Sequence, residues 1–167
     1  LCFGSSQLRI SSFNGRGILV DNAIDRERYL QYLRPIVARS DIICLQEVHS
    51  WEGDMEHSFE RFFPGWSVAA SHCIDSGLPY GAAGGVAILS SPRLAQQAIM
   101  SKCILFPGRC IGVSYKSGDK VFDVINIHNA SLSCSGLRNI TEYLETLRSR
   151  DFASPMESSS LLTGDMN

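Results

Sequence analysis

No stretch of this sequence stays apolar for anything near the roughly 20 residues that a membrane-spanning helix needs. The first ten residues, LCFGSSQLRI, have neither a charged start nor a long apolar middle, so no secretory leader is legible. A basic excess is missing too: 15 Lys and Arg stand against 17 Asp and Glu, for a formal charge of −2. That excludes the broad positive coat of a protein that wraps nucleic acid. If the partner carries phosphates, local groups or a bound cation must offset them. The six cysteines, Cys2, Cys44, Cys73, Cys103, Cys110 and Cys134, form no C-x-x-C pair and no zinc spacing. Cys44 sits within Ile42-Ile43-Cys44-Leu45 and reads as a small buried hydrophobe. The thiols are therefore expected to be free, in a reducing compartment, with an intracellular location that is nuclear or cytoplasmic. Internal repeats, a domain-splitting linker and an initiator Met are absent as well.

What is present is 167 residues with 44% apolar content, enough for one domain spanning 1–167 with a real core. Leu8 to Phe13 is short and β-prone, and Asn14-Gly15-Arg16-Gly17 breaks it. Ile24, Leu30, Leu33 and Val37 give a stretch from about Asp25 to Arg39 the apolar stripe of a helix. Asp41 to Gln46 is an apolar run typical of a strand covered on both faces. A second helix is expected over 51–63 and a strand over 66–70, with Trp51 and Trp66 as core or loop anchors rather than base-stacking platforms. A glycine-rich loop over 77–85 carries Tyr80, and Val86 to Leu89 is another buried strand. Residues 90–108 give no clear pattern. Ile111 to Tyr115 and Val121 to Ile127 read as neighbouring strands joined by a Lys116-Ser117-Gly118-Asp119 hairpin turn. Leu137, Ile140, Leu144 and Leu147 have helical spacing up to Arg150, with Glu142 and Glu145 as solvated charges. Ser154 to Ser160 reads as a loop, and Leu161-Leu162 as the last strand. The fold class is α/β with a layered core.

Four of these strands share a feature. Each apolar run is followed at once by a polar group suited to metal or phosphate chemistry: Asn14; Gln46-Glu47; His128-Asn129; and Asp165 with Asn167. Taken singly, each is ordinary, because loops are polar. If the strands lie side by side their ends converge, and the joint pattern points to one site at a sheet edge. Glu47 offers hard oxygen, which suits Mg²⁺ or Mn²⁺ better than Zn²⁺. His128 could donate to a phosphoryl oxygen as charge builds there, and Asp165 could orient a water or a histidine. Asn14 and Asn167 can both donate and accept.

At these residues the sequence resembles the endonuclease/exonuclease/phosphatase superfamily, the deoxyribonuclease-I-like fold. LRISSFNGRG resembles that family's first motif, a strand ending in Asn. SDIICLQEVH is similar to its DI-x-x-LQE motif, the most specific match. YGAAGGVAIL resembles its glycine-rich strand, VINIHNASL the variant with His after the fourth-motif strand, and LLTGDMN its GD-x-N motif. The matches occur in family order across nearly the whole chain. The resemblance implies a two-sheet α/β sandwich with the site at one edge, and a Mg²⁺-dependent phosphodiesterase or phosphomonoesterase. It also implies roles. Glu47 is the metal ligand, Asn14 supports metal and phosphate, and His128 contacts the scissile phosphate. Asp165 and Asn167 position the attacking water and stabilise the transition state. The family's closing Asp-His segment has no counterpart in the 167 residues. A C-terminally incomplete fold is therefore expected, and the chain on its own is expected to be aggregation-prone and inactive.

Three readings of the substrate compete. The first is an endonuclease of retroelement or repair type acting on nucleic acid, with DNA favoured; Arg16, and Asn129 beside His128, could reach a substrate phosphate. The second is a lipid or inositol-phosphate phosphodiesterase or phosphatase, which no amphipathic membrane-binding stretch supports. The third is a non-catalytic remnant.

Overall fold

The computed structural model describes residues 2–3, 6–19, 23–50, 54–72, 84–129, 132–153 and 158–165. In chain order the elements are β1 (Cys2–Phe3), β2 (Ser6–Gln7), β3 (Ile10–Asn14), α1 (Ala23–Val37), β4 (Ile42–Gln46), α2 (Asp54–Phe62) and β5 (Ser67–Ser71). There follow β6 (Val86–Ser90), α3 (Pro92–Gln97), β7 (Ile99–Phe106), β8 (Cys110–Ser117), β9 (Lys120–His128), α4 (Cys134–Ala153) and β10 (Ser158–Asp165). A small β1–β2 hairpin precedes two four-stranded sheets, ordered β3-β4-β6-β5 and β10-β9-β8-β7. In the first, β3 and β4 are parallel and the other pairs antiparallel. In the second, β9 and β10 are parallel and the rest antiparallel.

The layers follow from side-chain alternation along the strands. Ile42 and Cys44 of β4, with Val86 and Ile88 of β6, face Val113 and Tyr115 of β8 and Phe122 and Val124 of β9, forming the inter-sheet core. Ile43, Leu45, Ala87 and Leu89 point the other way, onto Leu30 and Leu33 of α1 and Met55 and Phe59 of α2. Cys110, Ile125 and Ile127 pack on Ile140 and Leu147 of α4. The result is the two-sheet α/β sandwich the motifs imply, with helices outside both sheets. It also explains why β4 and β6 are buried at every residue. Side chains of this size stabilise by about 1.5–3 kcal/mol each on full burial.

Several sequence expectations shift. Residues 90–108, unreadable by pattern, hold α3 and β7. Ser91 caps α3, its Oγ accepting from Leu94 N, and Pro92 takes the first helical position. As the first and edge strand of its sheet, β7 alternates weakly and exposes Ile99 and Ile104, so no clean period-2 signal was available. Ser158 to Ser160 are strand, not loop: their backbones pair with Val121 to Asp123, and a ladder does not depend on the side chain. Ile24 and Leu137, expected in helical stripes, are exposed. Trp66 packs half-buried against the core under α1 and α2. Trp51, Tyr80, residues 77–83 of the glycine-rich loop and residues 154–157 lie outside the described residues. Cys44, Cys103, Cys110 and Cys134 are free thiols. No helix among the described residues is long and apolar enough to cross a membrane.

Candidate active site

The same alternation that builds the inter-sheet core aims the site. On β9, the inward series Phe122, Val124 continues to Asn126 and His128; on β10 Leu161 faces the same core and Asp165 lies four residues on. On β4, Ile42 and Cys44 lead to Gln46. The apolar inner face thus turns polar in two steps. The lower step is a buried amide network. Gln46 Nε2 donates to Asn126 Oδ1 (2.6 Å) and to Ser12 Oγ (3.1 Å), while Asn126 Nδ2 donates to the carbonyls of Leu45 (2.8 Å) and Ala87 (3.0 Å). This network ties both sheets together directly beneath the rim, and every one of its polar groups is satisfied.

The upper step is the rim. Asn14 Nδ2 donates to Asp165 Oδ2 at 2.9 Å, and Asn14 Oδ1 accepts from Arg16 N at 3.0 Å. Glu47 Oε1 lies 3.2 Å from His128 Nε2. Glu47, His128 and Asp165 each bring a potential ligand atom within 4.8 Å of the others. The structure therefore gathers Asn14, Glu47, His128 and Asp165, which are distant in sequence. Asn129 adjoins them, its N–H donating to the Asp165 carbonyl at 2.9 Å. Arg16 is exposed on the turn after Asn14. Asn167 lies outside the described residues.

The backbone around the rim is held in uncommon shapes. Arg16, Glu47 and His49 have φ of 43°, 51° and 52°, the positive-φ non-glycine residues of the described chain. Such conformations cost about 1–3 kcal/mol each and gather where a site demands them. They persist because neighbouring loops lock together. Gly17 N donates to Glu47 O (2.6 Å), His49 N to Gly84 O (2.9 Å), Val48 N to Gly85 O (3.2 Å) and Gly85 N to Gly108 O (3.1 Å).

One member of the site was missed at the level of sequence. Arg109 Nη1 lies 2.8 Å from His128 Nδ1, and the Arg109 carbonyl accepts from His128 N at 2.7 Å. Gly84 leaves room for this guanidinium, since a Cβ there would stand 2.7 Å from Nη1. The signal was available: counting back along the hairpin from the Gly118-Asp119 turn sets Cys110 opposite Ile127, and hence Arg109 beside His128. Burial, then the Arg109 charge, holds His128 below the ordinary imidazole value, against the pull of Glu47 and Asp165. His128 is therefore neutral at pH 7. A guanidinium only donates, so Nδ1 carries the lone pair and Nε2 carries the proton, directed at Glu47. His49, which no motif singled out, stands nearby. Burial lowers its value; Glu47 opposes that shift and Arg109 adds to it.

The donor set fits a hard divalent cation. Two carboxylates at the rim offer oxygen, and the imidazole presents an N–H rather than a lone pair.

Set against known proteins, residues 11–167 match the family described as the Endonuclease/Exonuclease/phosphatase family. No curated protein matches the chain significantly. Among solved structures, the AP endonuclease LMAP from Leishmania major superposes with a TM-score of 0.68 at 12% identity, over 95% of this chain and 55% of that one. Humanized D. rerio TDP2 with 14 mutations superposes with a TM-score of 0.57 at 16% identity, over 95% of this chain and 61% of that one. This chain thus spans less than two thirds of either, and at these identities the likeness concerns the fold.

Proposed function

The chain belongs to the Endonuclease/Exonuclease/phosphatase family, and from that premise we propose that it carries the metal site of a Mg²⁺-dependent phosphodiester hydrolase, with Mn²⁺ as the substitute ion. The substrate is nucleic acid, DNA in the first instance, and the enzyme is an endonuclease of retroelement or repair type. The observation that carries this reading is the meeting of Glu47, His128 and Asp165 within 4.8 Å at one rim. The likeness in fold to an AP endonuclease supports the repair side of it.

Glu47 and Asp165 are the residues that would hold the ion, which supplies positive charge to the phosphate oxygens and the leaving group. The Glu47 side chain is partly exposed at the rim. Asp165, oriented by Asn14 Nδ2, aligns the attacking water and receives its proton as the water oxygen bonds to phosphorus and the phosphorus–oxygen bond to the departing ester oxygen breaks, that oxygen leaving with a proton taken from solvent. His128 Nε2–H donates to a non-bridging oxygen, where negative charge grows in the transition state. Asn167 donates to the same phosphoryl group. Arg16 and Asn129 contact the substrate phosphate from the two loops beside the rim. The low-dielectric amide network below keeps these groups from shifting as charge develops.

The test is cleavage of a supercoiled plasmid, a matched RNA and bis-p-nitrophenyl phosphate by the intact natural protein, with and without Mg²⁺ and EDTA. Metal-dependent nicking that Glu47→Ala abolishes is the expected result. Cleavage unchanged in Glu47→Ala would remove Glu47 from the metal site, and cleavage of the small diester alone would end the nucleic-acid reading.

A further inference from the structure

Glu47, His128 and Asp165 would, on residue types alone, make a carboxylate–imidazole–carboxylate set that suits Zn²⁺, Co²⁺ or Ni²⁺ as well as Mg²⁺. One neighbour changes that. We propose that Arg109 governs which metals this site accepts, by fixing His128 as a hydrogen-bond donor and so keeping its imidazole out of the ligand set. The inference rests on the metal-binding reading above.

The argument is an inventory of protons and lone pairs. A neutral imidazole has one nitrogen with a proton and one with a lone pair. A metal ligand must present the lone pair, and its other nitrogen then donates, as a rule, to a carboxylate or carbonyl. His128 has the inverse arrangement. Its Nδ1 faces Arg109 Nη1 at 2.8 Å, and a guanidinium has donors only. The single ring proton therefore resides on Nε2, the nitrogen that faces Glu47 at 3.2 Å and so the rim. For Nε2 to ligate a metal, the proton would have to move to Nδ1, leaving two N–H groups confronting each other across 2.8 Å. The ring cannot turn away cheaply: His128 is 4% exposed, and its backbone N–H is bound to the Arg109 carbonyl at 2.7 Å. Gly84, at φ 99°, stands where a Cβ would meet Nη1 at 2.7 Å, so the guanidinium fills a slot shaped to it. With His128 withheld, the cluster that the described residues form keeps only the carboxylate oxygens of Glu47 and Asp165, a set that favours Mg²⁺ and Mn²⁺ over the nitrogen-seeking transition metals.

Arg109 is a positioning residue in this account, and the test reads the imidazole and the metal separately from turnover. Ring ¹⁵N shifts of His128 in the intact natural protein, assigned by their loss in His128→Gln, should report the Nε2–H tautomer, unchanged on adding Zn²⁺. Calorimetric titration should show Arg109→Met binding Zn²⁺ about tenfold more tightly than wild type, in the range that removal of such an outer partner changes metal affinity. Mn²⁺ affinity should change little. Adding His128→Gln to Arg109→Met should abolish the gain, and Arg109→Lys, which keeps a donor, should not show it. An Nδ1–H ring in the wild-type protein overturns the proposal without any variant. So does a Zn²⁺ gain that survives His128→Gln. If the ring is Nε2–H but the wild-type protein binds neither Mg²⁺ nor Mn²⁺, the metal-binding reading itself fails, and this proposal with it.

Discussion

Asp41 and Glu47 flank the same five-residue strand, β4, and the protein treats them in opposite ways. Asp41, 3% exposed, accepts from Arg9 N at 2.9 Å and Arg9 Nε at 3.4 Å, and from Arg93 Nη2 at 2.8 Å. Burial pushes its carboxyl up, but these donors together hold it below the ordinary value of 3.8. Its backbone is paired on both sides, Asp41 N donating to Arg9 O and Ser91 N to Asp41 O. Glu47, 30% exposed, meets one side-chain partner among the described residues, the neutral His128, and its backbone is left-handed. One carboxylate has its charge answered by protein and stabilises the fold. The other is held at a backbone cost with no cationic partner among the described residues, the condition expected of a group that meets an ion or substrate from outside.

The largest break in this symmetry should come from Glu47→Gln. We expect a loss on the order of 10²–10³-fold in kcat for Mg²⁺-dependent cleavage, with a melting temperature close to wild type; a large drop in stability would make Glu47 a second Asp41. Asp41→Asn should do the reverse. It leaves two arginines facing a neutral amide and should lower stability by about 2–3 kcal/mol in urea melts, while kcat at permissive temperature stays within about twofold of wild type. Third in size is Asn126→Ala, which strips partners from Gln46 and from the carbonyls of Leu45 and Ala87 and should cost about 1–3 kcal/mol.

Acid should separate the two ends of β4 in order. His49 and His128 have folded values lowered from 6.5, so between those values and pH 6.5 the unfolded chain binds more protons, and stability rises with pH. Acidification below pH 6.5 should therefore begin to weaken the Glu47 end. Asp41, with a depressed folded value, contributes stability that is present above pH 3.8 and lost as pH falls through that lower value. A melting profile with two acid steps, the first flattened by His128→Gln, is expected; a single step near pH 4 would contradict it. The smallest effect should be Arg16→Ala, whose exposed side chain should change KM by a few-fold and kcat hardly at all, as exposed charge contacts are worth about 1 kcal/mol or less.

The contrast between the two ends also shows what a sequence can reveal. Asn14, Glu47, His128 and Asp165 were legible because each ends an apolar strand, and parallel pairing of β3 with β4 and of β9 with β10 carries those ends to one rim. Gln46 stood out only as a strand-ending polar residue, and Asn126 was hidden inside an apolar run. Their importance lies in partners about 80 residues away, which no local pattern encodes. Arg109 was hidden for another reason. It lies in the turn just before β8, outside any apolar run, and only the β8–β9 register sets it beside His128. Asp41 read as the start of a strand, and nothing nearby announces Arg9 or Arg93 as its partners. Side chains that speak to solvent or substrate leave a local trace; those that speak to other side chains across the core do not.

The bond from Asn14 to Asp165 joins residues 151 positions apart. The first sheet draws on residues 10–90 and can form as soon as these have been synthesised, whereas β9 and β10, which bring His128 and Asp165, come much later. Closing so long a loop is slow compared with local pairing. During translation the rim is thus assembled only after the first sheet, once β9 and β10 have been made and have brought His128 and Asp165 to it.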